Sequence, residues 1–260
     1  MATRESPAIA IRDLWVYRGR DCVLEDINLT VPPGDFLGLI GPNGGGKTTL
    51  FQVLLGLLSP QQGEVRLLGQ AVSTGRRRVG YVPQAVGSHR DFPISVWEVV
   101  GMGRLSPHAL LRRRSVQDER QIEQALRHLE LWQHRHCSIG RLSAGQQQRT
   151  YLARALACNP QILLLDEPAA SIDSQASTNI YALLQRWSEG ITVVMASHDI
   201  GVLASYVKTV GCLNRRLIHH GSGPLPHAAL EQAYQCPIEA IAHGVPHRVF
   251  PQHSADEASS

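Results

Sequence analysis

The chain has 260 residues, of which 43% are hydrophobic and 18% charged, with a formal net charge of +3; it is long enough to bury a core in one large domain or two small ones. No stretch carries the dense Lys/Arg clustering that a nucleic-acid groove needs, since the runs Arg76 to Arg78 and Arg112 to Arg114 are short and read as solvated loop charges. The five cysteines, Cys22, Cys137, Cys158, Cys212 and Cys236, are odd in number, scattered and without a Cys-x-x-Cys pair, which argues against a disulfide framework or zinc ribbon and fits a reducing compartment.

The opening "MATRESPAIAIRD" has no long apolar core behind its arginine, and no window approaches the roughly 18 apolar residues of a membrane span, so a soluble chain is expected. "AIAIRDLWVY" and "VLEDINLTV" read as short β segments closed by the Pro32-Pro33-Gly34 turn. "DFLGLI" is a brief apolar strand that runs into the glycine-rich "GPNGGGKTT". After it, Leu50, Val53, Leu54 and Leu57 recur at helical spacing until Pro60. "YVPQ" ends another short strand at Gln84.

From Arg90 to Arg141 β-branched runs are few, and the segment reads as a helical insertion. Its best helix starts at a Ser115 cap with Asp118 three residues on, and Ile122, Ala125, Leu126 and Leu129 form the buried stripe. Val96, Val99 and Val100 are expected in the core. Next comes "LSAGQQQRTYLARALA", Leu142 to Ala157, in which a serine and two small residues open an alanine-rich helix. "ILLLDEP" is a continuous apolar strand, followed by a helix with Ile180, Leu183, Leu184 and Trp187 on one face, ended by Gly190. "ITVVMASHD" is read as the last strand. Strands alternating with helices predict an α/β fold with a parallel sheet. Beyond Gly221 periodicity fades, and "PQHSADEASS" reads as a frayed tail.

The segment Gly41-Pro42-Asn43-Gly44-Gly45-Gly46-Lys47-Thr48, followed by Thr49, fits the phosphate-loop pattern G-x-x-x-x-G-K-[ST] between a strand and a helix. Glycines let successive backbone N–H groups turn toward phosphate oxygens, and the helix N-terminus adds positive potential. Lys47 can reach the β and γ phosphates, and Thr48 can ligate Mg²⁺. Asp166 emerges at the end of an apolar strand, where it can hold the magnesium shell, and Glu167 beside it can polarise a water for in-line attack. Gln84 and His198 also follow strand ends, where open α/β sheets place their ligands; each is expected to contact the γ phosphate or its water, and Gln84 the metal.

Ser143 is placed like a helix N-cap, and Ala144 and Gly145 are small enough to let backbone donors approach an anion. A second anion site on the nucleotide already held by the phosphate loop of the same chain is redundant. It makes sense if it faces another copy.

The ordered set Gly41 to Thr48, Gln84, "LSAGQ", "LLLDEP", Asp173 and His198 resembles the ATP-binding subunit of an ABC transporter over nearly the whole chain. The resemblance implies a P-loop fold of ABC type, with a mostly parallel sheet core, an antiparallel β part and a helical subdomain. It divides the chain into residues 1–89 (N-terminal β part and phosphate-loop portion of the ATP-binding core), 90–150 (helical subdomain with the signature), 151–222 (second part of the core) and 223–260 (C-terminal extension and tail). It further implies that two chains dimerise head to tail on ATP and Mg²⁺, so that Ser143, Gly145 and Gln146 cap the γ phosphate bound by the partner. Tyr17 would stack on adenine and Asp173 would lie at the dimer seam. Trp15 competes with Tyr17, because strand alternation points both to the same face. The signature departs from the usual Leu-Ser-Gly-Gly-Gln at Ala144, which keeps the N–H donor but disfavours positive φ; activity is expected to survive.

"RDFPISVWEVVGMGR" (Arg90 to Arg104), "YVKTVGCLNRRLIHHG" (Tyr206 to Gly221) and "CPIEAIAHGVPHRV" (Cys236 to Val249) are similar to the ATPases of bacterial zinc, manganese and iron importers. That branch implies an integral-membrane permease, a periplasmic or lipoprotein metal-binding protein, and a peripheral place on the cytoplasmic face of the inner membrane. His219, His220, His227, His243 and His247, and His134, His136 and Cys137 before the signature, lack the paired spacing of a metal site and read as surface residues. Two rivals stand beside this reading. One is a siderophore or haem importer, since "GRLSPH" is similar to that branch. The other is a soluble ABC ATPase of translation or DNA maintenance, against which the chain has neither tandem ATP domains nor a long coiled coil.

Overall fold

The computed structural model describes residues 6–84, 93–105, 114–168, 174–198, 203, 205–223 and 227–234. Strands β1 (Ile9–Arg18) and β2 (Asp21–Val31) join β4 (Gln62–Leu67) and β5 (Gln70–Ala71) in an antiparallel four-stranded sheet of order β2-β1-β4-β5. The alternation in β1 changes phase once. Ile9 and Ile11 are buried, Asp13 takes a φ of 48° where the pairing register shifts, and Leu14 and Val16 then return to the buried face. Trp15 and Tyr17 are left half-buried on the opposite face.

The second sheet has six strands in the order β10-β9-β3-β8-β7-β6. These are β3 (Phe36–Ile40), β6 (Val79–Val82), β7 (Ile162–Asp166), β8 (Thr192–Ser197), β9 (Thr209–Asn214) and β10 (Arg216–Ser222). The pairs β3–β8, β3–β9, β6–β7 and β7–β8 are parallel, and β10 returns antiparallel on β9. Every residue of β3, β7 and β8 is buried, as expected of parallel strands covered on both faces. Alternate side chains serve two cores. Phe36, Ile40, Leu163, Leu165, Val193 and Met195 face one cluster, and Leu37, Leu39, Ile162, Leu164, Val194 and Ala196 the other.

The helices are α1 (Lys47–Leu54), α2 (Val72–Gly75), α3 (Val96–Gly101), α4 (Val116–His128), α5 (Ala144–Ala157), α6 (Ser174–Trp187) and α7 (His227–Tyr234). Between Arg90 and Arg141 the described residues include α3 and α4. Helix α4 begins with a capping box in which the Ser115 hydroxyl accepts from the Asp118 N–H and the Asp118 carboxylate accepts from the Ser115 N–H. Ile122, Ala125, Leu126 and Leu129 are buried, as are Val96, Val99 and Val100. Ile180 and Leu184 of α6 are buried, with Leu183 and Trp187 half-buried against the same cluster.

Three expectations are corrected. The helix after the phosphate loop stops at Leu54 rather than reaching Pro60, because Gly56, at φ 66°, donates its N–H to the Val53 carbonyl while Leu57 N–H reaches the Gln52 carbonyl. This pair of bonds is a Schellman ending, and it leaves Leu57 71% exposed instead of in the buried stripe. The strand of "ITVVMASHD" is not the last, since β9 and β10 follow it and complete one edge of the sheet. The stretch beyond Gly221 is not featureless: α7 buries Ala229, Leu230 and Ala233, at helical spacing, against β9.

Candidate functional site

Because β3, β6, β7 and β8 run parallel and in register, with Ile40 opposite Ser197, Asp166 opposite Ala196 and Val82 opposite Leu165, their carboxyl ends share one edge. The residues that leave those ends meet there. Gly41, Pro42, Asn43, Gly44, Gly46, Lys47, Thr48, Thr49, Gln84, Asp166, Glu167 and His198 line one cavity of about 690 Å³. Gly45 does not line it; its carbonyl accepts from the Arg215 N–H at 3.0 Å and ties the loop to the β9–β10 turn.

Glycine is required at two of these positions. At Gly41, φ is 152° and a Cβ would lie 1.9 Å from the Leu213 carbonyl oxygen; at Gly46, φ is 102° and a Cβ would meet the Leu24 side chain at 2.5 Å. The loop is therefore pressed between β9 and the start of β2, and its backbone turns toward the cavity. Helix α1 opens on this loop with no side-chain cap, so its first N–H groups are free of a capping side chain and suited to an anion.

Lys47 is buried, and its Nζ donates to the carbonyls of Gly41 at 2.7 Å and Pro42 at 3.0 Å. Burial lowers its pKa, against the opposing pull of Glu167 and Asp166. The Thr48 hydroxyl donates to Asp166 Oδ2 at 2.8 Å. Burial pushes the Asp166 pKa up, the Thr48 hydrogen bond opposing it and the charge of Glu167 adding to it. A hydroxyl and a carboxylate side by side, both hard oxygen donors, are a chemical fit for Mg²⁺.

Glu167 follows directly and takes a φ of 48°. Its N–H still bonds the Ala196 carbonyl at 2.9 Å, so the turn happens with the residue held to the sheet. A non-glycine residue in this left-handed region costs about 1–2 kcal/mol, and here it turns the carboxylate into the cavity. Gln84 Nε2 donates to Glu167 Oε2 at 2.9 Å, and His198 Nδ1 lies 3.3 Å from the same oxygen. The carboxylate is 9% exposed and the imidazole 59%.

Ser143, Gly145 and Gln146 are not among the cavity's lining residues. They open α5, where Ser143 is the N-cap of a further capping box: its hydroxyl accepts from Gln146 N–H at 3.3 Å, and Gln146 Oε1 accepts from Ser143 N–H at 3.1 Å. Ala144 is the first helical residue and shows no positive φ, so alanine costs this helix nothing. Tyr17 and Trp15 also lie off the cavity lining. Tyr17 pairs across the sheet with Cys22, next to the Val23 carbonyl that faces Gly46, and the neighbouring Arg18 hydrogen-bonds Gln52 of α1. Trp15 instead pairs with Gln62 on β4.

Asp173, Cys236, His243, His247 and all residues from 235 onward lie outside the described residues, as do Arg90 to Phe92 and Ser106 to His108 of "GRLSPH". Among the described residues no group of three or more His, Cys, Asp or Glu side chains is placed to hold a metal ion. Sequence reasoning missed Tyr234, which lines the cavity from the end of α7. The helix is held there by Asn214 Nδ2 donating to the Ala233 carbonyl at 2.8 Å. The apolar spacing of Ala229, Leu230 and Ala233 was the available signal.

Comparison with known proteins agrees with the fold. A family profile described as ABC transporter matches residues 24–170. The zinc uptake system ATP-binding protein ZurA of Listeria innocua is 36% identical over 219 residues, covering 82% of this chain and 85% of its own. The manganese transport system ATP-binding protein MntB of Bacillus subtilis is 40% identical over 200 residues, covering 76% and 80%. A solved chain described as part of a metal-chelate type ABC transporter in an inward-facing conformation superposes with a TM-score of 0.78 at 28% identity, over 90% of this chain and 91% of that one.

Proposed function

Because the chain belongs to the ABC transporter family and is an ATPase of that family, we propose that it dimerises on ATP to power uptake of a transition metal ion, zinc, manganese or iron, through a membrane permease. Among the described residues no helix is long and apolar enough to cross a membrane, which suits a peripheral subunit docked on such a permease at the cytoplasmic face of the inner membrane. The cargo class rests on the zinc and manganese relatives, and a periplasmic or lipoprotein binding protein would deliver it to the permease. The solved chain of metal-chelate type keeps chelates as a second reading.

The division into residues 1–89, 90–150, 151–222 and 223–260 carries this function in parts. The first contributes the antiparallel sheet and the phosphate loop, and the second the helices that a permease would press on. Helix α5 crosses from the second to the third, so movement of the signature is transmitted into the strand that ends at Asp166.

In each chain the N–H groups of Gly41 to Thr49 and the Lys47 ammonium bind the phosphates, and Lys47 exchanges its two carbonyl partners for phosphate oxygens. Thr48 and Asp166 would hold Mg²⁺, with Gln84 at its edge; bound there, the ion neutralises charge on the β and γ phosphates. Glu167 accepts the proton of the attacking water as a general base, while Gln84 and His198 fix its carboxylate. Tyr17 stacks on adenine. Ser143, Gly145, Gln146 and, at the seam, Asp173 complete the pocket of the partner chain. The observation that carries the reading is the three-way meeting of Gln84, His198 and Glu167 beside the phosphate loop, with the Ser143 helix start outside that cavity.

The direct experiment is ATP turnover of the complex reconstituted with its permease and with the binding protein loaded in turn with Zn²⁺, Mn²⁺, Fe²⁺ or a ferric chelate. Stimulation by one of the bare ions supports metal import. Stimulation by the chelate alone moves the protein to the chelate branch, and no stimulation by any of them removes the cargo assignment.

A further inference from the structure

The start of α5 is braced by a histidine that no motif of the site includes. Gln146 uses both ends of its side-chain amide. Its Oε1 accepts from the Ser143 N–H at 3.1 Å, and its Nε2 lies 3.2 Å from Nε2 of His134. The amide nitrogen can only donate, so His134 must present an unprotonated Nε2 as the acceptor and carry its proton on Nδ1.

His134 is well fixed for such a task. Its N–H bonds the Leu131 carbonyl and its carbonyl accepts from Cys137 N–H, both at 2.9 Å. The guanidinium groups of Arg127 and Arg135 both lie over the ring of the adjacent Trp132, at 4.4 and 4.3 Å from its centre, and that ring meets Trp97 edge to face. The turn from Trp132 to His134 is thus a rigid platform facing the helix start.

We propose that His134 is a positioning residue for the signature helix, its Nε2 accepting the Gln146 amide and fixing the one orientation that also caps the Ser143 N–H. A donor at position 134 creates a conflict that rotation of the amide cannot relieve. Turned over, the Gln146 nitrogen would face the Ser143 N–H and leave two donors opposed there instead. The Ser143 cap, and with it the geometry offered to the partner's nucleotide, depends on this acceptor. The inference rests on the proposed role of Ser143 and Gln146 in the partner's pocket.

The test compares His134→Gln with His134→Lys in the full chain. Both are long, flexible and polar, and only the first can place an acceptor where Nε2 lies. His134→Gln is expected to keep kcat/KM for ATP within about twofold of the parent, while His134→Lys lowers it roughly three- to tenfold, the effect of losing one neutral hydrogen bond. ATP affinity of the dilute single chain is expected to be the same in both, since the phosphate loop is untouched. Equal turnover of the two variants overturns the proposal, as does a His134→Lys loss that appears equally in single-chain ATP affinity. Ser143→Arg, run in parallel, separates the two levels. If it hydrolyses ATP normally, the signature reading fails and takes this inference with it; if it is inactive while the His134 variants match, only the role of His134 fails.

Discussion

The Gln84 amide and the Glu167 carboxylate, 83 positions apart in the chain, share a hydrogen bond of 2.9 Å at the carboxyl edge of the parallel sheet. The bond links the end of β6 to the end of β7. It joins the strand that leads into the helical insertion to the residue proposed as the base. The position of Gln84 therefore bears directly on the orientation of that carboxylate.

Glu167→Gln is expected to retain the turn and the Gln84 contact while removing the proton acceptor. Turnover should fall by about 10²- to 10⁴-fold, with ATP still bound and the dimer held closed. Steady-state hydrolysis and gel filtration with ATP check this together. Full turnover in the variant would remove Glu167 from the base role.

Ser143→Arg puts a long charged side chain at the start of α5 and leaves the phosphate loop alone. Hydrolysis should be lost when both chains carry it, while a single dilute chain still binds ATP with its usual affinity. Loss of binding by the single chain would contradict a pocket completed by a second copy.

The early end of α1 separates two leucines that share a hydrophobic pattern. Leu54→Ala should destabilise the fold by about 2–5 kcal/mol, because Leu54 is 1% exposed. Leu57→Ala should change stability by no more than about 0.5 kcal/mol, because Leu57 is 71% exposed. Urea unfolding of both variants reads the difference, and similar losses would place Leu57 in the core after all.

Asp118 supplies a pH test of the helical insertion. The Ser115 backbone N–H and hydroxyl, with Arg104, hold its pKa at about 2, below the ordinary 3.8. A pKa lowered on folding stabilises the protein above the unfolded value, and that share is lost as pH falls from about 4 toward 2. The stability gap between the parent and Asp118→Asn should therefore be about 1 kcal/mol near pH 6, allowing for solvent screening, and should shrink below pH 4. A gap that does not change with pH would show that the carboxylate charge contributes nothing.

Much of this site was legible in the sequence because it is local. The phosphate loop, the strand ending in Asp166-Glu167 and the caps at Ser115 and Ser143 are each written in a few adjacent residues whose chemistry is set by spacing. Parallel strands then carry such residues to one edge, so Gln84 and His198 could be placed there before their contacts with Glu167 were visible. What stayed hidden depends on distant partners. The Arg215 N–H that holds Gly45, the Leu213 carbonyl that forbids a side chain at Gly41 and the docking of Tyr234 all belong to the β9–β10 hairpin and α7, beyond the strand taken as the last. Leu57 misled for the opposite reason. Its spacing fits the apolar stripe, but the left-handed turn at Gly56 closes a helix that ends at Leu54, and backbone geometry outweighs periodicity there.

The most direct test of a pocket shared between two chains is hydrolysis per chain, at saturating Mg²⁺ and ATP, as the isolated chain is diluted. A rate per chain that climbs with concentration and then levels off, with single chains silent, is the predicted result. A rate per chain that stays constant down to concentrations where sizing shows only single chains would contradict the account.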